Sequence, residues 1–332
     1  METQEMSEVE PLLKAEGLVT EFKTEDGVVR AVDRVHLEVY PGETVGLVGE
    51  SGCGKTVTAL SLLKLIPEPT GSIKEGSVTF EGISLFDLKK EAFRAIRGNR
   101  IGMVFQEPMT ALNPVHTIGK QLCEPMLLHK ICSKRDAAER AKLLLKHVGV
   151  PDPEERLHEF PHQLSGGMRQ RVSIAMALAC KPSLLIADEP TTALDATVQL
   201  QILELLRNLK EELNMSMLFI THDLGVIAEL CDRVIVMYAG KVVEEASVFE
   251  LFENPKHPYT QGLIKSIPTL ESPHKQPLPA IKGQVPNLHN LPQGCRFENR
   301  CPHAQAQCRE IAPILETVKE RHNVRCIRWK DI

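Results

Sequence analysis

Eight residues, Gly49-Glu50-Ser51-Gly52-Cys53-Gly54-Lys55-Thr56, follow directly on the apolar run Val45-Gly46-Leu47-Val48. The pattern G-x-x-x-x-G-K-S/T in that setting constrains the fold, because it works only as a strand that enters a glycine-rich turn and leaves it as a helix. The glycines let backbone N–H groups face phosphates, Lys55 reaches the β/γ oxygens, and Thr56 ligates Mg²⁺. A helix starting at Lys55-Thr56 turns the positive end of its dipole towards the nucleotide, and Val57 to Leu63 is compatible with one. The implied ligand is a nucleoside triphosphate. Cys53 lies inside the cradle, so alkylating its thiol is expected to block the nucleotide, and the nucleotide to protect the thiol.

A chain of 332 residues with 42% hydrophobic content can bury a full core, and its length suggests one large domain plus an appendage. The net charge of −5 offers no overall basic field for nucleic acid. Apolar runs such as Ile174 to Cys180 fall far short of the roughly 20 residues needed to cross a bilayer. The acidic start Met1 to Met6 lacks the apolar core of a secretory signal, so a soluble cytoplasmic protein is expected. Nine cysteines in such a chain argue for buried thiols or metal ligation rather than disulfides. Cys53, Cys123, Cys132, Cys180 and Cys231 are scattered, and most of them read as small core hydrophobes.

Residues 12–48 alternate apolar and polar positions around an Asp26-Gly27 turn, the pattern of a β-hairpin. Phe22 on that hairpin suits either stacking on an adenine ring or packing within the hairpin. Residues 73–88 read as short strands, 89–98 as a short charged helix, and Ile101 to Phe105 as a buried strand ending at Gln106, where it could touch Mg²⁺ or a water. Residues 115–160 read as an amphipathic helical insertion, with an S-x-x-D start at Ser133. Ser165-Gly166-Gly167 opens another helix, where Ser165 can cap and the glycines admit a ligand, making a second anion site. One triphosphate does not readily occupy both sites unless two chains meet.

Ser183 to Ala187 is a continuous apolar run that delivers Asp188 and Glu189 at its end. Asp188 suits Mg²⁺ and Glu189 suits a general base, but adjacent strand residues face opposite ways, so both serve only if the strand ends there. Asp195 precedes an amphipathic helix, Val198 to Leu213. A further strand, Met215 to Ile220, ends near His222, which could bond a γ-phosphate.

This set of motifs, in this order over residues 12–270, resembles the ATP-binding-cassette ATPases. In the family's terms Walker A is 49–56, the Q-loop residue Gln106, the signature 164–168 and the Walker B aspartate Asp188. Glu189 is then the catalytic carboxylate, Asp195 the D-loop and His222 the H-loop. The resemblance implies an α/β P-loop NTPase fold: a RecA-like core with an antiparallel β subdomain and a helical insertion at about 107–175, spanning 1–255, followed by a small Cys-rich extension at 256–332. It implies two cassettes closing head to tail on two ATP molecules, Ser165 to Gly167 contacting the partner's γ-phosphate, Phe22 stacking on adenine, and the helical insertion moving with Gln106 at its hinge. Met168 stands where many members have Gln; it is expected to face the helix, with little consequence.

Residues 106–114, Pro161-His162-Gln163-Leu164, His257-Pro258-Tyr259-Thr260 and the cysteine-bearing tail are similar to the oligopeptide/dipeptide importer ATPase subunits, whose relatives import nickel or glutathione. That group implies a second, related ATPase subunit, two transmembrane permease subunits, an extracytoplasmic substrate-binding protein, no nucleic acid, and a place on the cytoplasmic face of the membrane. A soluble ABC clamp acting on DNA or in translation is the rival, but this chain has one Walker A and no heptad run. A regulatory subunit that binds without hydrolysing is a third reading, opposed by Glu189 and His222.

Pro273, Pro277, Pro279, Pro286 and Pro292 mark an extended connection to Cys295, Cys301, Cys308 and Cys326. Four thiols in a segment too small for its own core suggest a metal staple. Their spacing matches neither a C-x2-C finger nor the ferredoxin run and leaves zinc, an iron–sulfur cluster and free thiols open. The resemblance implies a 4Fe-4S cluster with a structural role.

Overall fold

The structure is a computed structural model that describes residues 10–107, 111–192, 194–268 and 280–332. Pro108, Met109 and Thr110, the prolines at 273, 277 and 279, and the amino-terminal residues 1–9 lie outside them. Strands β1 (Leu13–Thr24) and β2 (Gly27–Val39) form the expected hairpin, with β4 (Gly71–Phe80) and β5 (Ile83–Ser84) completing an antiparallel sheet in the order β2-β1-β4-β5.

The second sheet has eight strands. β3 (Thr44–Val48), β6 (Ile101–Val104), β7 (Leu184–Asp188), β8 (Ser216–Thr221) and β9 (Arg233–Tyr238) run parallel. β10 (Lys241–Ser247), β12 (His322–Val324) and β11 (Glu316–Lys319) add antiparallel pairings, giving the order β11-β12-β10-β9-β3-β8-β7-β6. Every residue of β3, β7, β8 and β9 is buried, as a sheet covered on both faces requires. Alternation then divides the core: Leu184 and Ile186 join the cluster beneath the antiparallel sheet, whereas Leu185 and Ala187 join the helical cluster opposite.

The first face carries α1 (Lys55–Leu62), tied to the hairpin by the buried Thr20–Ser61 hydroxyl pair at 2.7 Å; α2 (Lys90–Ile96) follows β5. The helical insertion comprises α3 (Ile118–Leu128), α4 (Lys134–His147) and α5 (Pro153–Arg156). Ser133 caps α4 by accepting from Asp136 N, as the S-x-x-D pattern predicts, and Ala137, Ala141 and Leu145 line its buried face. α6 (Gly166–Leu178), α7 (Ala196–Leu213) and α8 (Leu224–Leu230) share the core cluster of the helical insertion on the opposite face. Ile202, Leu203, Leu206 and Leu209 bury one stripe of α7 at helical spacing. No helix among the described residues is long and apolar enough to cross a membrane.

Beyond α9 (Val248–Glu253) and α10 (Pro258–Lys265), residues 280–294 are not the detached connection that their prolines suggest. They lack regular structure, yet Ile281, Val285, Leu288 and Leu291 pack against the core. α11 (Ala306–Glu310) follows, and β11 and β12 then extend the main sheet. Glu244 of β10 is fully buried; it accepts the N–H groups of Lys256 and His257 and stands 2.9 Å from His322 Nε2 of β12.

Candidate active site

Four adjacent parallel strands deliver the chemistry at their carboxyl ends: β3 the glycine loop, β8 His222, β7 Asp188 and Glu189, and β6 Gln106. This is where open α/β sheets bind ligands. Gly49 and Gly54 are required by space and conformation. A side chain at Gly49 would meet Met237 O at 2.2 Å, and one at Gly54 would meet Ala31 O at 2.4 Å, both with positive φ. Gly54 caps α1, whose first-turn amides have no helical acceptor and so are available to phosphate.

Lys55 is buried and folds back across the loop, donating to Gly49 O at 2.7 Å and Glu50 O at 3.2 Å. Thr56 Oγ1 donates to Asp188 Oδ1 at 3.2 Å, so two of the three expected Mg²⁺ ligands meet across the β3–β7 gap. Burial first, then the neighbouring Glu189 charge, pushes the Asp188 carboxyl up to about 6, against the opposing pull of Thr56 and Lys55. A buried carboxylate with so little compensation suits a cation.

The strand does end where two adjacent carboxylates need it to. β7 stops at Asp188, and Glu189 turns away with φ 46°, its N–H donating to Ile220 O at 2.9 Å. Its Oε2 accepts from Gln106 Nε2 at 3.1 Å and from Thr192 Oγ1 at 2.8 Å, and its Oε1 stands 3.4 Å from His222 Nδ1. Gln106, Glu189 and His222 therefore meet, and Thr192 joins them. Sequence reasoning missed Thr192; its only signal is a hydroxyl three residues beyond the carboxylate.

Two expectations for the loop need correction. The Cys53 side chain does not face the cradle: it is fully buried, its Sγ would be 2.7 Å from a Cβ at Gly49, and burial raises its thiol above the usual range. Its N–H donates to Glu50 O at 3.2 Å. The Glu50 N–H is likewise engaged, donating to Tyr259 Oη at 2.8 Å, so neither amide is free for phosphate. Ser51 and Gly52 form the loop's outer turn, with Ser51 exposed.

Ser165 caps α6 by accepting from Met168 N at 3.3 Å and is exposed, as is Gly166, where an added methyl group would meet nothing within 4 Å. Gly167 abuts Val198 of α7, and Met168 packs half-buried against the core, as its helix-facing reading predicts. Asp195 caps α7 by accepting from Thr197 N and Val198 N. Phe22 is half-buried with its ring over Gly71, a hairpin packing position that leaves part of the ring exposed.

Cys295, Cys301, Cys308 and Cys326 line one small cavity of about 20 Å³ beside α10. Burial above all pushes the Cys295 and Cys326 thiols up to about 11, and the other thiols of the set push the same way. Among the described residues, no three His, Cys, Asp or Glu side chains are grouped so as to hold a metal ion. The four thiols share one cavity, but neither the 4Fe-4S cluster nor the zinc expected of them has a metal-holding group to support it among the described residues.

Known proteins place the chain. The family model described as ABC transporter matches residues 32–192, and the one described as oligopeptide/dipeptide transporter, C-terminal region, matches 243–308. A Brucella abortus protein whose name assigns it to peptide import as an ATP-binding protein is 52% identical, over 97% of this chain and 98% of its own. The oligopeptide transport ATP-binding protein AppD of Bacillus subtilis is 50% identical over 96% of this chain and 97% of its own. Among solved structures, the dimeric cassette MJ0796 bound to ADP and Pi has a TM-score of 0.64 at 31% identity, covering 71% of this chain and 98% of that one. The cbiO1 protein of Clostridium perfringens has a TM-score of 0.61 at 27% identity, over 74% of this chain and 91% of that one. A glycine cradle, a paired magnesium-type site and a carboxylate gripped from two neighbouring strands thus sit on a chain related to the Brucella and Bacillus proteins over nearly its whole length, and it belongs to the ABC transporter ATP-binding family, in the oligopeptide/dipeptide branch, as an ATPase.

Proposed function

We propose that the chain is the ATP-hydrolysing subunit of a di- or oligopeptide importer, closing head to tail on a second ATPase subunit that is a related chain rather than a copy. The observation that carries this reading is the match along the whole chain, extension included, to proteins named for oligopeptide transport. The open tip of α6 supports the head-to-tail geometry: Ser165 caps the helix and is exposed together with Gly166, where an added methyl group would meet nothing within 4 Å. The similar cassette MJ0796 is itself described as dimeric in a post-hydrolysis state.

Each residue then has a task. Lys55 and the first-turn amides of α1 bind the phosphates, and the exposed part of Phe22 takes the adenine. Thr56 and Asp188, with Gln106, would hold Mg²⁺, which would supply positive charge to offset that of the phosphates. Glu189, oriented by Gln106 and Thr192, accepts the proton of the attacking water at its carboxylate, and His222 donates to the γ-phosphate. Ser165 to Gly167 and Asp195 complete the partner's site. Because Gln106 joins the strand end to the helical insertion, closing the pocket moves that insertion. A largely apolar groove of about 850 Å³, lined by Leu65, Phe105, Leu128 and Met176 among others, would seat one permease subunit.

The four tail cysteines would hold a 4Fe-4S cluster, a reading that rests on the resemblance of the extension to the oligopeptide/dipeptide group and on the one cavity that the four thiols share. The cluster would supply a covalent staple for the extension. Its absence from anaerobically purified protein, shown by no visible-range absorbance and stoichiometric zinc, would overturn this. The importer reading is tested with membranes: hydrophobic permeases should co-purify with the chain, and Glu189→Gln should keep ATP binding while losing turnover. Ribosomes or DNA in place of permeases, or full hydrolysis by the variant in the assembled complex, would refute it.

A further inference from the structure

The extension reaches into the phosphate loop itself. The Arg300 side chain, only 4% exposed, forks onto the Glu50 carboxylate, with Nη1 2.6 Å from Oε2 and Nη2 2.9 Å from Oε1. Its remaining donors are engaged as well: Nε with Lys282 O at 3.1 Å, Nη2 with Ile281 O at 3.3 Å, and Nη1 with Tyr238 Oη at 3.3 Å. The guanidinium also lies over the Tyr238 and Phe297 rings. A bidentate, charge-assisted pair of this kind fixes orientation as well as adding energy.

Tyr259 of α10 grips the same residue from its backbone side, accepting Glu50 N–H at 2.8 Å, while its own N–H donates to His257 Nδ1 at 3.1 Å. Glu50 is therefore held at main chain and side chain by two residues more than 200 positions away in sequence. A second arginine of the extension backs the loop from behind: Arg296 donates to Ala239 O and pairs with Asp33. Gly240 in turn donates its N–H to Cys53 O at 2.9 Å. Arg296 follows Cys295 and Arg300 precedes Cys301, so both anchors are set by the cysteine-lined segment.

We propose that Arg300, together with Tyr259, is a positioning residue for ATP: it holds Glu50, and with it the first turn of the phosphate loop, in the shape that receives the nucleotide. The extension is then part of the ATP site and reports its own integrity to that site. If losing the fork leaves the loop in its binding shape a tenth of the time, the apparent Kd rises about tenfold. Turnover at saturating ATP is spared, since Lys55, Asp188 and Glu189 are untouched.

The inference rests on the ATP site described above. The test is a double-mutant cycle on the full-length chain, with Mg·ATP binding followed by calorimetry and hydrolysis measured in the assembled transporter. Arg300→Gln and Glu50→Gln should each raise Kd about tenfold, the double variant should be no worse than the poorer single one, and the kcat of the Arg300→Gln chain should stay within about twofold. Arg300→Lys should recover part of the loss. Unchanged Kd in both single variants, or losses that add in the double one, overturn the proposal. Should Arg300→Gln fail to fold, Glu50→Gln decides alone, since it alters only the partly exposed end of the pair. A wild-type chain that binds no Mg·ATP overturns the ATP site and the proposal together; normal wild-type binding with unaffected variants overturns the positioning role only.

Discussion

Replacing Asp188 by Asn should stabilise the chain in metal-free, nucleotide-free buffer while destroying its function. Asp188 is 1% exposed, with the Thr56 hydroxyl as its hydrogen-bonded side-chain partner and Glu189 adjacent. Its carboxyl is raised from 3.8 to about 6, so the folded state prefers the protonated form. That preference favours the native state fully below about pH 3.8 and is lost as pH rises through about 6. Above that pH the buried charge costs about 3 kcal/mol, the free-energy equivalent of the rise. Asn keeps the size and an acceptor for Thr56 without the charge. At pH 7.5 the variant should melt about 6 °C above wild type in scanning calorimetry, taking ~2 °C per kcal/mol for a chain of this size. The gap should close as pH falls towards 4, where both side chains are neutral. With Mg·ATP present the order should reverse, because only the wild type gains ligand stabilisation. An Asp188→Asn chain that melts below wild type in metal-free buffer at pH 7.5, or a gap indifferent to pH, would refute the account of Asp188 as a buried cation seat.

Three further outcomes follow from the same geometry. Ser165→Ala should cost the isolated chain only about 1 kcal/mol, the worth of a helix cap, yet depress hydrolysis by the assembled pair far beyond that; equal, small effects in denaturant titration and in turnover would contradict a cross-subunit role. Cys53 should resist a maleimide at pH 7.5 in the folded chain and react on unfolding, as read by peptide mapping; rapid native labelling would place its thiol on the surface. His322→Ala leaves Glu244 buried without its imidazole partner and should cost about 3 kcal/mol, with the extension becoming the first site of proteolysis; a variant within 0.5 kcal/mol of wild type, roughly the effect of an ordinary surface change, would show the pair is dispensable.

The catalytic constellation was legible because its chemistry demands residue types at fixed offsets from strand ends. Gly49 to Thr56, Asp188-Glu189 and His222 each follow an apolar run, and a parallel sheet brings such ends together whatever lies between. The need for β7 to stop at Asp188 could be stated in advance, and the left-handed turn at Glu189 meets it. Contacts made by tertiary packing were not legible. Nothing near Tyr259 or Arg300 announces that they reach Glu50, and the inward direction of Cys53 depends on its closeness to Met237 and Gly49. Prolines at 286 and 292 suggested a free connection, but four aliphatic side chains between 281 and 291 fasten that stretch to the core.

The placement of β11 and β12 also bears on how the molecule avoids its own kind. Without them β10, seven residues long, would end the main sheet with a free row of amides and carbonyls, an invitation to any passing strand. β12 meets it at Glu244 and Glu245, and the border passes to β11, four residues with Glu316 and Lys319 at its ends. A short charged hem of that kind is a poor template for intermolecular pairing. A chain cut before residue 316 is therefore expected to precipitate on storage, as followed by light scattering.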